Sequence, residues 1–117
     1  MRRYKLAFRG VTVSDLHLSP MPSSLQLLEN LQTLCMFRCD LEDIAPIGQL
    51  KKLQVLVLAD STIVQLPKQV GNLTRLQLLD LRRCQGLQVI PAGVLSCLTR
   101  LEELYMQNIL VAESATF

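Results

Sequence analysis

The sequence predicts an α/β solenoid, in which short repeats stack into a parallel β-sheet on a concave face and into turns on a convex face. Leucine fills 25 of the 117 positions, so the chain can build an apolar core. The pattern L-x-x-L-x-L starts at Leu31, Leu53, Leu76 and Leu101, so successive starts are separated by 22, 23 and 25. These spacings fall in the roughly 20 to 29 residues of leucine-rich repeats. A horseshoe segment of such repeats is therefore expected.

Each repeat contributes one short strand. In L-x-L the two apolar residues point to one side of the strand and the middle residue points to the other. Leu34 and Met36 are therefore expected to face the core. The same reasoning predicts strands over residues 33–37, 55–59, 78–82 and 103–107, with a buried row made by Leu34, Leu56, Leu79 and Leu104.

The convex side is expected to consist of turns and 3₁₀ helices, because a proline follows each second apolar position and the return segments are short. Only residues 92–100 have the composition of a true helix. Where the chain leaves each strand, a small residue is expected to bind backbone groups. Cys39, Ser61 and Cys84 occupy this position.

The chain divides into a degenerate N-terminal segment (1–12), about four to five repeats (13–108) and a C-terminal tail without a polar cap (109–117). The first repeat has two candidate registers, which start at Val13 or at Val11, and the residues do not decide between them. The stretch from Val11 to Ser19 also reads as if about three residues of an ordinary repeat were missing. The remaining starts are Leu31, Leu53, Leu76 and Leu101.

Composition and charge exclude several classes of function. Twelve basic and ten acidic residues give a net charge of +2 without a long basic run, which argues against nucleic-acid binding. The four cysteines form no C-x-x-C pair and are expected to be reduced, and no apolar run approaches the roughly 18 residues of a membrane span. His17 is the single histidine and belongs to no catalytic or metal-binding pattern. A non-enzymatic protein without metal or cofactor, in the cytoplasm or the nucleus, is expected.

The candidate site is the exposed face of the concave sheet, where side chains can vary without disturbing the core. Apolar outward residues would form a patch that contacts either a separate protein or a neighbouring domain of the same parent. The charged residues Asp80, Arg82, Arg83 and Glu103 are expected to be a solvated face. The candidate protein-binding residues are Thr33, Cys35, Phe37, Val55, Val57, Leu78, Asp80, Arg82, Glu103 and Tyr105.

A family resemblance is carried by three stretches of the sequence. They are Val70-Gly-Asn-Leu73-Thr-Arg-Leu76, Cys39-Asp-Leu-Glu-Asp-Ile44 and Leu98-Thr-Arg-Leu101-Glu-Glu-Leu104-Tyr-Met106. The chain resembles the leucine-rich-repeat region of plant nucleotide-binding disease-resistance proteins of the coiled-coil class, as a short or truncated member. The resemblance implies a recognition or autoinhibition module in the defence response. Its partner would be a pathogen-derived effector, a guarded host protein or the receptor's own nucleotide-binding module.

One departure from the family limits what the resemblance implies, and one alternative class stays open. The chain contains no G-x-x-x-x-G-K-[ST] phosphate loop, so nucleotide binding does not carry over to it. A general intracellular leucine-rich-repeat signalling scaffold is the alternative, and its repeats would start at a near-constant spacing of 23. The drift of the spacing through 22, 23 and 25 argues against that alternative.

Overall fold

The computed structural model describes residues 10–14, 17–18, 28–41, 43–107 and 110–111. These residues form a solenoid whose main feature is a five-stranded parallel sheet, in the order β1-β3-β5-β7-β9. One strand comes from each repeat, as the leucine pattern predicts. In chain order the strands are β1 (Gly10–Ser14), β2 (His17–Leu18), β3 (Thr33–Phe37), β4 (Asp40–Leu41), β5 (Val55–Val57), β6 (Thr62–Ile63), β7 (Leu78–Asp80), β8 (Val89–Ile90), β9 (Glu103–Tyr105) and β10 (Leu110–Val111).

The predicted leucine row lies inside this sheet. Leu34 pairs with Leu56, Leu56 with Leu79, and Leu79 with Leu104. Leu34, Leu56 and Leu79 are buried, whereas Leu104 is only half-buried because β9 is the last strand of the sheet. The row is therefore confirmed. These stacked leucines contribute apolar contact between successive repeats.

Strands β5, β7 and β9 are shorter than predicted and end after three residues. Left-handed residues lie close to the strand ends: Arg38 directly follows β3, while Asp60 and Arg83 lie a short way beyond β5 and β7, with φ values of 52, 62 and 57 degrees. At these residues the chain turns sharply out of the sheet. Hydrogen bonding between repeats nevertheless continues past the strand end, since the Asp60 N–H donates to the Arg82 carbonyl over 2.9 Å.

The register of the first repeat differs from both sequence-based alternatives. Val11 pairs with Leu34 and Val13 with Met36, so the two repeats are offset by 23. Val13 therefore takes the last apolar position of the pattern, and the repeat starts at position 8. The prediction of a start at Val13 or Val11, with part of the repeat missing, is wrong. The boundary placed after residue 12 also cuts through β1.

A second ladder runs beside the main sheet. Strands β2, β4 and β6 form a parallel sheet in that order, and β10 pairs with β8. Leu18 pairs with Leu41, which pairs with Ile63, so Leu18 serves as the second apolar position of its repeat. The tail after residue 108 thus includes a strand, β10, that pairs in parallel with β8.

The turn positions bind backbone groups, as the sequence predicts. Ser61 is fully buried, accepts the Cys39 N–H over 3.2 Å, and donates to the Met36 carbonyl over 3.3 Å. The Cys84 thiol donates to the Leu58 carbonyl over 3.1 Å. These bonds connect neighbouring repeats at the point where each chain leaves the main sheet.

Replacing Ser61 with alanine is expected to lower the free energy of unfolding by about 1–3 kcal/mol, because buried backbone groups lose their partner. Ser61→Cys, which places at this position the residue type that Cys39 and Cys84 supply, is the matched control and should cost less. Urea titration of both variants measures the difference. Equal midpoints for wild type and Ser61→Ala would contradict this role of the hydroxyl.

Among the residues that the structure describes, the convex side includes the 3₁₀ helices Ala45–Gln49 and Lys68–Asn72 and the α-helix α1 (Val94–Cys97). The 3₁₀ helices confirm the expectation for these arcs. The α-helix is shorter than the predicted 92–100, because Gly93 has a φ of 91 degrees and only the following residues are helical. Within the described residues, no helix is long and apolar enough to cross a membrane.

Candidate protein-binding surface on the concave sheet

The strand registers gather the predicted candidate residues on one surface. Residues paired on successive strands form columns that run across the sheet. One column contains Thr33, Val55, Leu78 and Glu103. A second column parallel to it contains Cys35, Val57, Asp80 and Tyr105. Phe37 is the last residue of β3, and Arg82 follows β7 by two positions.

The N-terminal part of this surface is apolar. Phe37, Val55, Val57 and Leu78 are all half-buried, and we call these four residues the apolar strip. Ala59, which the repeat pattern also places outward, is only 3% exposed and contributes little accessible surface. Half-exposed aliphatic and aromatic side chains on a rigid sheet can lose further water contact when another protein packs on them.

The C-terminal part of the surface is polar and internally bonded. Arg82 donates from Nε to Oδ1 of Asp80 over 3.0 Å and from Nη2 to Oδ2 over 2.8 Å. Its backbone N–H donates to the same Oδ1 over 3.0 Å. Asp80 is only 5% exposed, so the expectation that it belongs to a solvated face is wrong. The positively charged side chain folds back along the surface and satisfies the carboxylate.

Two further residues extend this ion pair. The Arg82 guanidinium lies over the Tyr105 ring, 4.7 Å from its centroid, a cation–π arrangement. The Tyr105 hydroxyl donates to Glu103 over 2.5 Å, and this bond is the main reason that the pKa of Tyr105 is raised. We call Asp80, Arg82, Glu103 and Tyr105 the polar cluster. Arg83, in contrast, turns to the rim and pairs with Asp60 over 2.6 Å.

Two opposing effects act on the Asp80 carboxyl. Burial raises its pKa, but the side-chain and backbone hydrogen bonds from Arg82, together with the nearby positive charge, outweigh burial and hold the pKa below its ordinary value. The ionised form is therefore favoured in the folded protein. Ionised Asp80 makes its full contribution to the free energy of unfolding above the pKa of the unfolded chain, about 3.9. This contribution is lost as the pH falls through the lower pKa of Asp80 in the folded protein.

Replacing Arg82 with glutamine should raise the pKa of Asp80 above its wild-type value, because burial is then opposed only by the backbone N–H of residue 82 and by the charge of Arg83. The stability that wild type loses on acidification below about pH 3.9 should therefore be smaller in the variant. Urea midpoints between pH 7 and pH 3 measure the effect. Arg75→Gln removes an exposed arginine that has no part in lowering the pKa of Asp80 or of Asp60, so it is the control and should follow the wild type. Parallel curves for Arg82→Gln and wild type would contradict the assignment.

Burial raises the pKa of two of the cysteine thiols. All four are free thiols, and burial is the main cause that raises the pKa of Cys35 in the second column and that of Cys84 to about 11. A protonated thiol is a poor nucleophile and a poor metal ligand. Among the described residues, no three His, Cys, Asp or Glu side chains are grouped so that they could hold a metal ion.

The pairing of Asp80 with Arg82 was not predicted from the sequence, although a signal was present. Residues two apart on a strand lie on the same face, so Asp80 and Arg82 are neighbours whenever the strand direction continues past β7. Tyr105 lies on the next strand in the column of Asp80. Opposite charges at this spacing, with an aromatic residue beside them, could have predicted the cluster.

A stack of parallel strands with short convex arcs and a leucine-lined core defines a leucine-rich-repeat protein. In sequence, the chain is similar to disease resistance protein RPP5 of Arabidopsis thaliana, with 38% identity over 55 residues, which are 46% of this chain and 4% of RPP5. The chain is thus similar to the leucine-rich-repeat region of a plant disease-resistance protein. No protein-family model matches it.

Solved structures support the fold. A leucine-rich-repeat protein of Leptospira interrogans superposes with a TM-score of 0.77 and 30% identity, over 87% of this chain and 26% of the other. The leucine-rich-repeat ectodomain of the plant membrane receptor kinase GASSHO1/SCHENGEN3 of Arabidopsis thaliana gives 0.68 and 27%, over 86% and 12%. This chain spans a small part of the length of each of these proteins.

Proposed function

We propose that the chain is the protein-recognition module of a plant disease-resistance immune receptor, without enzymatic activity of its own, acting in the cytoplasm or the nucleus. Its partner is a pathogen-derived effector, a guarded host protein or the receptor's own nucleotide-binding module. The observation that carries the proposal is the apolar strip beside the polar cluster, on the concave sheet of a chain similar to a disease-resistance repeat region.

The two parts of the surface would act differently in binding. The apolar strip supplies area that becomes dry on contact, whereas the polar cluster supplies donors that are already held in place. Arg82 uses two of its side-chain nitrogens to bind Asp80. The Arg82 side chain is 42% exposed, so its guanidinium keeps other N–H groups for a partner. The receptor-kinase ectodomain of similar fold was solved in complex with CASPARIAN STRIP INTEGRITY FACTOR 2, which supports a protein partner for such a solenoid.

Binding can be tested with the 117-residue chain immobilised against a set of purified pathogen effectors and nucleotide-binding modules of plant disease-resistance proteins. For any protein that binds, Val57→Lys should weaken affinity by at least about tenfold, because a charge replaces a central apolar contact. Thr62→Lys changes an exposed residue of β6, outside both the concave sheet and an open groove beside Val64, and is the control. Equal losses for both variants, or no binding at all, would argue against recognition by the concave sheet.

The immune role needs a separate readout. Expression of the chain in leaves together with a disease-resistance receptor should change the receptor's cell-death response, and Val57→Lys should remove the change. A binding partner whose interaction depends on Val57, combined with an unaffected cell-death response, would favour the general signalling scaffold instead.

One structural observation favours that alternative. With the first repeat starting at position 8, the first spacing is 23 rather than 18 or 20, and the first three spacings become 23, 22 and 23. This is closer to the near-constant spacing expected of a scaffold. Only the last spacing, from Leu76 to Leu101, departs from it.

A further inference from the structure

The repeat that starts at Leu76 contains an insertion that the concave surface does not use. Ile63 lies ten positions after the first leucine of its repeat, and Leu87 lies eleven positions after its own. The additional residue lies between Cys84 and Leu87, in the segment made by Gln85 and Gly86. Gly86 has a φ of 87 degrees. A Cβ at Gly86 would come within 3.0 Å of the Ile63 carbonyl oxygen, so the bulge is packed tightly against β6.

This bulge interrupts the second ladder. Strand β6 is the last strand of its sheet, and beyond it only an isolated bridge joins Thr62 to Gln85. The Ile63 N–H donates to the Gln85 carbonyl over 2.9 Å, and the next strand, β8, pairs with β10 and not with β6. Regular backbone pairing between the two neighbouring arcs therefore ends at Ile63.

An open groove of about 560 Å³ lies where this pairing ends. Two valines in its walls are exposed to solvent, Val64 by 73% and Val89 by 43%. Among the described residues, these are the large apolar side chains with high exposure. Two glutamine amides, one glycine and one proline complete the lining, and no charged residue takes part. The groove residues are Val64, Gln65, Gly86, Gln88, Val89 and Pro91.

We propose that this groove is a second protein-docking site, separate from the concave surface, which takes an extended, uncharged peptide segment with a branched aliphatic side chain. The two valines and the proline would surround the aliphatic side chain. The Gln65 and Gln88 amides both donate and accept hydrogen bonds, so they match the backbone amides on either side of it. A charged segment is disfavoured, because the lining offers no opposite charge to compensate for lost hydration.

Selection from a phage-displayed library of random heptapeptides on the immobilised 117-residue chain, with counter-selection on Val64→Lys, tests the proposal. Enriched peptides should contain Val, Ile or Leu and no charged residue. A synthetic copy of the best peptide should bind Val64→Lys at least about tenfold more weakly than wild type by calorimetry, since the lost contact is a valine. Because Val64 is 73% exposed, the substitution leaves the core intact.

Two controls separate this site from other surfaces. Thr62→Lys changes an exposed residue of β6 that does not line the groove, and it should leave the affinity unchanged. Val57→Lys, which tests the proposed function, should also bind the peptide like wild type. Enrichment of charged peptides, peptides that do not distinguish Val64→Lys from wild type, no enrichment at all, or loss of binding in Val57→Lys would each overturn the groove as a docking site.

Discussion

Replacement of Leu79 with alanine is expected to lower the free energy of unfolding by about 2–5 kcal/mol. Leu79 is fully buried and has a leucine of a neighbouring repeat on each side, Leu56 and Leu104. The substitution removes apolar contacts and leaves a cavity between two repeats, so both the transfer and the cavity contributions apply. Urea titration followed by circular dichroism measures the loss.

Leu104→Ala is the matched control for this prediction. It makes the same chemical change in the same row, but Leu104 is half-buried at the end of the sheet and loses fewer contacts. The loss for Leu104→Ala should therefore be clearly smaller than for Leu79→Ala. Equal losses at both positions would mean that the row does not pack as one ladder.

The second large effect is expected on the convex side, at Gly48. An alanine Cβ there would lie 2.7 Å from the Gln69 carbonyl oxygen and 2.8 Å from its Cβ, so the backbone of one arc must move. Overpacking of this kind costs about 1–3 kcal/mol. Thermal and urea unfolding of Gly48→Ala should both show the loss.

Gly71 occupies the corresponding position of the next repeat and provides the control. A Cβ added to Gly71 would meet Cys97 at 3.4 Å or more, an ordinary van der Waals contact. Gly71→Ala should therefore be neutral or stabilise the protein by about 0.4–1 kcal/mol, through a reduced entropy of the unfolded chain. A stability loss at Gly71 as large as at Gly48 would contradict the close stacking of the arcs that contain Gly48 and Gln69.

The parts of the fold that repeat are the parts that could be predicted. Leu34, Leu56 and Leu79 recur at a regular period, so their row and the parallel sheet follow from the pattern alone. The first repeat was misread because Val13, Leu16 and Leu18 also fit the spacing of the pattern, whereas Val11 and Val13 take its last two apolar positions in the structure. The strand ends carry no such periodic signal, since β3 runs up to the left-handed Arg38 whereas β5 ends three residues before the left-handed Asp60.

The candidate surface was predicted in part. Side chains alternate between the two faces of a strand, so the sequence predicts which residues share a face of the sheet. This alternation places Val55 and Val57 on the same side of β5. The burial of Asp80 does not, because it depends on the path that the Arg82 side chain takes after the strand has ended. The groove beside Val64 likewise depends on how the backbone absorbs the additional residue near Gly86, which is a property of packing between arcs.

Hydroxyl-radical footprinting of the 117-residue chain, with and without a bound protein from the effector and receptor-module set, tests most directly whether the concave sheet is the recognition surface. The method reports the solvent access of individual side chains. Phe37, Leu78 and Tyr105 should be protected in the complex, whereas the exposed Lys51 of the convex side should be oxidised as in the free chain. Protection confined to the convex arcs, with Phe37, Leu78 and Tyr105 oxidised as in the free chain, would contradict recognition by the concave sheet.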